Sequence, residues 1–204
     1  MVDMEQIYIA SSNPGKLRDF SAAGRAHQVE IVPVPDFEDI SAVAENADSF
    51  EGNARAKAEH YSRYCCGHLI VADDSGLEVD ALNGAPGIYS ARYASGPHHQ
   101  STDAENNARL IYELKDVPEG KRTARFVCAL AVARNGETVE TFSGEARGRI
   151  LLGPRGSGGF GYDPLFLHPE LQKTFAELTA EEKMEVSHRG QAFRYFLDWL
   201  RTQK

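Results

Sequence analysis

Two adjacent carboxylates, Asp73 and Asp74, follow the apolar residues 69–72 and precede a Ser-Gly pair. Because successive side chains of a strand point to opposite faces, the two carboxylates cannot have the same role. One of them can face a cleft, where a carboxylate holds a hard metal ion or activates a water molecule. The alternative is an Asx-type turn that ends a strand. We expect short strands at 69–73 and 77–81 on either side of a turn.

The segment Ser11–Lys16 combines residue types that favour phosphate binding. An apolar strand precedes it, and Asn13 with Pro14 predicts the start of a helix over 14–25. Free backbone N–H groups at such a terminus attract phosphate, and Lys16 adds a positive charge. A Walker A loop needs Gly and Ser/Thr at positions where this chain has Ala and Leu, so we exclude that motif. A helix that is simply capped is the alternative.

Lys57 lies on the apolar face of a helix predicted over 49–65, and Asn53 lies one turn before it. An ammonium group on an apolar face is costly unless a carboxylate or a phosphate meets it. The alternative is a side chain that extends to water. Glu45, in the acidic loop before this helix, can complete an oxygen-rich Mg²⁺ site with Asp74. Taken alone, Glu45 would be an exposed loop residue.

The segment 156–164 is rich in glycine and contains a formal G-x-G-x-x-G pattern. A dinucleotide fingerprint must follow a strand and open a helix, but Tyr162, Asp163 and a Pro follow here, so we reject it. The glycines around Phe160 predict a backbone close to a flat ligand on which the ring can stack. A mobile surface loop is the alternative.

A basic cluster marks the start of the last predicted helix, over 188–200. Ser187 can cap that helix, and His188 and Arg189 then lie near its positive end, where they can meet an anion or a ring carbonyl. Lys183 comes shortly before them. A solvated helix terminus is the alternative.

The other elements alternate between strands and helices. We predict strands at 6–11, 28–34, 122–134 and 137–152, with an Asn-Gly hairpin turn between the last two, and helices after capping boxes at Thr102 and Thr179. This succession predicts an α/β (α+β) fold with a mixed sheet. No linker or repeat interrupts it, so we expect one domain over residues 1–204. If two lobes exist, the hairpin and the loops around it form the second.

The composition limits the classes of function. The chain has 204 residues and a formal net charge of −8, which argues against duplex-binding proteins because these need a basic footprint. We expect neither a membrane span nor a signal peptide. Cys65, Cys66 and Cys128 show neither metal-ligand spacing nor an even disulfide framework, which predicts buried, reduced thiols in a cytoplasmic protein.

Together these motifs resemble the inosine triphosphate pyrophosphatase family, also called Ham1-like or non-canonical purine NTP pyrophosphatases. The matching segments come in the family's order and span nearly the whole chain: 11–16, 50–53 with Lys57, 72–76, 84–93, 158–164, 176–179 with Lys183, and 187–190. Two departures are visible. Ser-Ser-Asn at 11–13 stands where many members have Thr-Gly-Asn, and Glu45 stands alone where a second carboxylate is common.

The resemblance implies hydrolysis of the deaminated purine nucleotides XTP, dITP and ITP to the monophosphate and pyrophosphate, with Mg²⁺. It implies an elongated mixed β-sheet flanked by helices, in two lobes with the nucleotide cleft between them. It further implies a homodimer. The expected ligand is a small nucleotide substrate, and neither a nucleic acid nor a membrane is expected as a partner.

The resemblance also implies roles for individual residues. Asp74 is the general base for the attacking water and shares Mg²⁺ with Glu45. The residues at the phosphates are Lys16, Lys57 and the backbone amides of Ser11, Ser12, Asn13, Pro14 and Gly15. The other substrate-binding residues are Asn53, Ser75, Phe160 stacked on the base with Gly161, Tyr162 and Asp163 nearby, and Lys183, His188 and Arg189 at the base edge.

Two other functions stay open at this stage. Maf-like nucleotide pyrophosphatases have a similar fold and act on other bases, but they usually open with a Ser-Pro-Arg-Arg pattern that is absent here. The other possibility is a nucleotide-binding sensor without turnover, against which the combination of Lys16, Lys57 and Asp74 argues. A panel of nucleotide substrates distinguishes a Maf-like enzyme from the family named above. Tight binding of ITP without product would identify a sensor.

Overall fold

Seven strands form one mixed sheet in a computed structural model that describes residues 5–65, 67–96 and 101–203. The strands are β1 (Glu5–Ile9), β2 (Val29–Pro33), β3 (Ile70–Val79), β4 (Thr123–Arg134), β5 (Glu137–Ile150), β6 (Phe166–His168) and β7 (Lys173–Thr174). The helices are α1 (Pro14–Ala26), α2 (Phe50–Ser62), α3 (Asp103–Leu114), α4 (Ala180–Val186) and α5 (His188–Thr202). A 3-10 helix at Gly87–Arg92 also borders the site described below.

The strand order is β2-β1-β3-β4-β5-β6-β7. β1 pairs in parallel with β2 and β3, and every later pairing is antiparallel. Helices cover both faces, so the predicted α/β fold with a mixed sheet is confirmed. The chain forms two lobes because its core falls into clusters at different ends of this sheet.

The first lobe has a core on each face of the sheet. On one face α1, α4 and α5 pack on β1 and on β4, and on the other face α2 packs on β3 and β4. The second lobe contains α3, the first residues of β4 and the last residues of β5. The hairpin therefore runs through both lobes, which corrects the expectation that it belongs to the second alone.

Polar caps fix where the helices begin, as their sequences predict. Side chains of Asn13, Ser49, Thr102, Thr179 and Ser187 each accept a backbone N–H of the first turn of their helix. Each cap satisfies a donor that the helix itself cannot pair. The last helix buries one apolar face, which consists of Ala192, Phe193, Phe196, Leu197 and Leu200.

The region around the two aspartates differs from its prediction. The expected strands at 69–73 and 77–81 are one continuous strand, β3, which pairs with β4 through Ser75 and Gly76. A Cβ atom at Gly76 would lie 2.4 Å from Ser90 Oγ and 2.5 Å from the Gly87 carbonyl oxygen. This glycine therefore allows a close backbone approach and does not form a turn.

The expectations about membrane spans and thiols have separate outcomes. Within the described ranges, no helix is long and apolar enough to cross a membrane. Cys65 and Cys128 are buried, as expected. Cys66 lies outside the described residues, so its burial stays a prediction.

Candidate active site

A cleft of about 490 Å³ opens where the two lobes meet. It is lined by most of the residues that the sequence singles out: Ser11, Ser12, Asn13, Lys16, Glu45, Lys57, Asp74, Ser75, Phe160, Gly161, Tyr162, Asp163, His188 and Arg189. Pro14, Gly15, Asn53 and Lys183 do not line it. Segments far apart in the chain thus meet around one cavity.

Asp74 belongs to the face of β3 that packs on α2. Its Oδ2 accepts a hydrogen bond of 3.0 Å from Asn53 Nδ2, and its Oδ1 lies 3.5 Å from Lys57 Nζ. The Asn53 side-chain oxygen accepts the amide of Ala47 at 3.0 Å, so one asparagine fixes both the carboxylate and the preceding loop. Burial raises the pKa of Asp74, and the nearby Lys57 offsets only part of that rise.

Lys57 joins two carboxylates. Its Nζ lies 3.2 Å from Glu45 Oε1 as well as 3.5 Å from Asp74 Oδ1. Burial by itself would lower the pKa of Lys57, but Asp74 and Glu45 outweigh that effect and raise it. The ammonium group is therefore charged, and it holds the two carboxylates close together at one end of the cleft.

This pair of carboxylates suits a Mg²⁺ ion that the substrate helps to coordinate. Mg²⁺ prefers oxygen ligands and commonly takes one or two carboxylates, with waters and phosphate oxygens in its other positions. Across residues 5–65, 67–96 and 101–203 no group of three or more His, Cys, Asp or Glu side chains is placed to hold a metal ion. Glu45 and Asp74 could therefore supply two ligands of a Mg²⁺ ion, whose other ligands would be waters and phosphate oxygens and not further protein side chains.

Asp73 points to the opposite face of β3 and is buried among cations. Its Oδ2 lies 3.0 Å from Lys16 Nζ and 3.5 Å from Arg189 Nε, and it accepts a hydrogen bond of 3.3 Å from Ser75 Oγ. Burial alone would raise the pKa of Asp73, yet Lys16 and Arg189 lower it to about 2. Asp73 therefore stays ionised and holds both cations at the wall of the cleft.

The charge network continues beyond Arg189. Arg189 Nη1 donates to Asp19 Oδ2 at 2.8 Å, and Lys183 Nζ lies 3.3 Å from the same oxygen. Lys183 Nζ also donates to Asp163 Oδ2 at 2.6 Å. Because these side chains are buried and alternate in sign, each charge is compensated by its neighbours.

The start of α1 offers fewer free amides than predicted. Asn13 Oδ1 accepts the amides of Gly15 at 2.8 Å and Lys16 at 3.1 Å, and the Asn13 amide donates to Ser11 Oγ at 3.2 Å. Pro14 has no N–H group. Among the hydrogen bonds of the described residues, the amides of Ser11 and Ser12 have no intramolecular partner, which leaves two donors for a phosphate and corrects the expectation of a full row.

Phe160 lies at the other end of the cleft, against α1. A Cβ atom at Gly15 would lie 2.4 Å from Phe160 Cδ1, so only glycine permits this contact. Lys183 Nζ lies 4.6 Å from the ring centroid and Arg189 Cζ lies 5.5 Å from it. The ring therefore lines the cleft with two cations beside it.

The loop that carries Phe160 is anchored and is not a free surface loop. The Phe160 amide donates to Asp163 Oδ2 at 2.9 Å, and the Gly161 amide donates to Asp103 Oδ2 at 2.6 Å. The Tyr162 hydroxyl donates to the Ser90 carbonyl oxygen at 2.8 Å. These bonds fix the loop to α3 and to the 3-10 helix.

His188 is a buried and neutral side chain at the wall of the cleft. Its ring stacks on Phe126 with centroids 4.8 Å apart and an angle of 10° between the planes. Burial, together with the charges of Arg189 and Lys183, holds the pKa of His188 well below its usual value. Within the described ranges its Nδ1 atom is buried without a hydrogen-bond partner.

Comparison with known proteins identifies the family of this chain. The Ham1 family model matches residues 7–199. This chain belongs to the Ham1 family. Among its relatives, a dITP/XTP pyrophosphatase of Acidobacterium capsulatum is 48% identical over 196 residues, covering 94% of this chain and 96% of the relative. One of Geobacillus kaustophilus is 49% identical over 189 residues, covering 93% and 91%.

Solved structures resemble this Ham1-family chain over nearly its whole length. The Staphylococcus aureus Ham1 protein is 38% identical with a TM-score of 0.81, covering 98% of this chain and 100% of that protein. A HAM1 protein from Coxiella burnetii is 36% identical with a TM-score of 0.82 and the same coverage.

The sequence analysis of this Ham1-family chain missed three residues of the site. Arg92 and Phe126 line the cleft, and Asp19 pairs with Arg189 and Lys183. Asp19 is buried on the inner face of α1, four residues after Gly15. It is a charged residue on an apolar face, which is the argument that identified Lys57, so the same test would have found it. Arg92 lies inside the matched segment 84–93, but its residue type alone assigns it no role.

Proposed function

We propose that this chain hydrolyses the deaminated purine nucleotides XTP, dITP and ITP to the monophosphate and pyrophosphate. The observation that carries the proposal is one cleft with two different ends. At one end Lys57 joins Glu45 and Asp74, and at the other Phe160 lies beside buried cations. The names of the relatives above support the same activity, which would remove such nucleotides from the cellular pool.

In the proposed mechanism Asp74 accepts a proton from the water that attacks the α-phosphorus. Lys16, Lys57 and the free amides of Ser11 and Ser12 bind the phosphate oxygens. Phosphoryl transfer depends mainly on positioning and on neutralising charge, which these groups provide. The bond between the α-phosphorus and the bridging oxygen breaks, and pyrophosphate leaves.

The charge of the cleft supports a requirement for Mg²⁺. Its charged lining residues are the cations Lys16, Lys57, Arg92 and Arg189 and the carboxylates Glu45, Asp73, Asp74, Asp103 and Asp163. The carboxylates outnumber the cations, so a triphosphate needs additional positive charge to enter. Glu45 and Asp74 would hold Mg²⁺, which would neutralise phosphate charge and stabilise the leaving pyrophosphate.

Selection of the base has a physical basis in the buried donors. A 6-oxo purine presents an acceptor at O6 and a donor at N1, whereas adenine presents the reverse. Arg189 lines the cleft and can only donate, so it suits the O6 acceptor of a 6-oxo purine and not the amino group of adenine. Such a mismatch can reject an analogue by about 10⁴-fold. Phe160 stacks on the base, and neutral His188 hydrogen-bonds to its edge.

The resemblance implies further properties that stay proposals. We propose one domain, because a single sheet runs through both lobes, and a homodimer. The cytoplasmic location predicted from the thiols is a proposal of the same kind. Light scattering of the purified protein and cell fractionation would test these two points.

Identification of the bond that is cleaved tests the proposed reaction. ITP is incubated with the protein and Mg²⁺ in water enriched in ¹⁸O, and the products are followed by ³¹P NMR. We expect pyrophosphate and IMP, with the label in IMP. Orthophosphate and IDP would contradict the mechanism, because they require cleavage between the β- and γ-phosphates.

A further inference from the structure

Arg92 is a cation of the cleft to which neither the motifs nor the proposed mechanism assigns a role. We propose that Arg92 binds the phosphate chain of the nucleotide together with Lys16 and Lys57. The proposal rests on the proposed function, since it assumes a triphosphate substrate. It adds a phosphate-binding residue on the second lobe.

The second lobe fixes the position of Arg92. It is the last residue of the 3-10 helix Gly87–Arg92. The Ser90 carbonyl oxygen accepts the Tyr162 hydroxyl at 2.8 Å, and the Ala91 carbonyl oxygen accepts Asn106 Nδ2 at 3.3 Å. The backbone that carries Arg92 is thus bonded to α3 and to the Phe160 loop.

The side chain of Arg92 crosses to the first lobe. Its Nη2 donates to the backbone carbonyl oxygen of Glu45 at 3.4 Å. The Glu45 side chain is the one that pairs with Lys57. The guanidinium group therefore lies at the carboxylate end of the cleft, where the phosphates are expected, and not at the Phe160 end.

Arg92 differs from the other cations of the cleft in its partners. Lys16, Lys57 and Arg189 each lie within 4.0 Å of at least one carboxylate. No such ion pair involves Arg92 in the described part of the chain. Among these described residues its Nε has no hydrogen-bond partner although it is buried. The guanidinium carbon lies 5.5 Å from the ring centroid of Tyr89.

A guanidinium group with unused donors suits a phosphate. Its planar fork binds two phosphate oxygens at once, and it keeps its charge at every physiological pH. The alternative is that Arg92 only braces the Glu45 loop. That alternative predicts equal effects on all nucleotides, whereas a phosphate contact affects only ligands that carry the chain.

The test compares two ligands in calorimetry with Mg²⁺: α,β-methylene ITP, which cannot be cleaved at the reacting bond, and IMP. We expect R92Q to weaken the binding of the triphosphate analogue by about tenfold or more and that of IMP by less than about twofold. R92K retains the charge without the fork, so it should give an intermediate loss. Arg147→Gln, a matched change at an exposed position, should alter neither.

Equal losses for both ligands, or no loss for either, would overturn the role of Arg92. Circular dichroism of each variant checks that it is folded. The proposed function is tested separately by turnover of the wild-type protein. If the wild type fails to cleave ITP but R92Q weakens the binding of the analogue, the proposed activity is refuted and the role of Arg92 stands. If the wild type cleaves ITP and R92Q binds the triphosphate analogue as tightly as the wild type, only the role of Arg92 is refuted.

Discussion

Asp73 and Asp74 are consecutive residues whose carboxylates lie on opposite faces of β3 and have pKa values shifted in opposite directions. Burial would raise both, but Lys16 and Arg189 lower the pKa of Asp73 to about 2, while that of Asp74 stays raised. One carboxylate therefore fixes the cations of the site. The other is the carboxylate to which we assign the reacting water, so two adjacent identical residues have different environments and different proposed roles.

Asp74→Asn should nearly abolish turnover. The amide cannot accept the proton of the attacking water, and proton transfer of this kind contributes about 10²- to 10⁴-fold. The rate of pyrophosphate release from ITP measures the effect. Asp198→Asn, which removes a carboxylate exposed on α5, should leave the rate unchanged. A folded Asp74→Asn protein with a rate near that of the wild type would refute the role of Asp74.

The buried His188 predicts a loss of stability in mild acid. In the unfolded chain a histidine binds a proton near its usual pKa of 6.5, but burial keeps His188 neutral to a lower pH. Below pH 6.5 the unfolded state binds more protons, so the free energy of unfolding falls as the pH falls, by at most about 1.4 kcal/mol per pH unit. His188→Gln should show a shallower slope in urea titrations between pH 7 and 5. An identical slope would show that His188 is not responsible.

Gly15→Ala should impair binding of the base through Phe160. The new Cβ would lie 2.4 Å from Cδ1 and 2.5 Å from Cγ of Phe160, so the whole side chain must move away. Loss of a base-stacking contact costs about 1–3 kcal/mol, which should appear as weaker binding of IMP. In a Phe160→Ala background the same change should have no further effect. Independent, additive losses in this double-mutant cycle would contradict the coupling.

Gly144→Ala should destabilise the fold and disturb the start of α5. A Cβ atom there would lie 2.1 Å from the His188 carbonyl oxygen and 2.7 Å from the Ala192 amide nitrogen. Because both are backbone atoms, the helix must shift, and overpacking of this kind costs about 1–3 kcal/mol. Thermal unfolding measures the loss. Gly153→Ala has open space around it and serves as the control; equal melting temperatures for both variants would contradict the prediction.

Local patterns in the sequence predicted much of this fold. The caps at Asn13, Thr102 and Ser187 identified helix starts because a cap depends on residues within one turn. The Asn-Gly turn gave the β4–β5 hairpin for the same reason. The turn predicted from the Ser-Gly pair in β3 was wrong. A glycine is needed there because Ser90, which is distant in sequence, packs against it in the folded chain.

The site was predicted less completely than the fold. Motif order indicated which residues gather, but spacing cannot reveal pairs such as Asp19 with Arg189, which lie 170 positions apart. Nor could it show that Asn13 uses the amides expected to hold phosphate. These contacts depend on the packing of α1 and α5 against one sheet, so local spacing in the sequence cannot reveal them.

The specificity constants for a panel of nucleotides test the central claim most directly. Pyrophosphate release is measured with Mg²⁺ for XTP, dITP, ITP, ATP and GTP. We expect kcat/KM for the deaminated nucleotides to exceed that for ATP and GTP by about 10²-fold or more. Release from ATP or GTP alone would favour the activity of a Maf-like enzyme. Binding of ITP without any release by the folded protein would contradict the enzyme assignment.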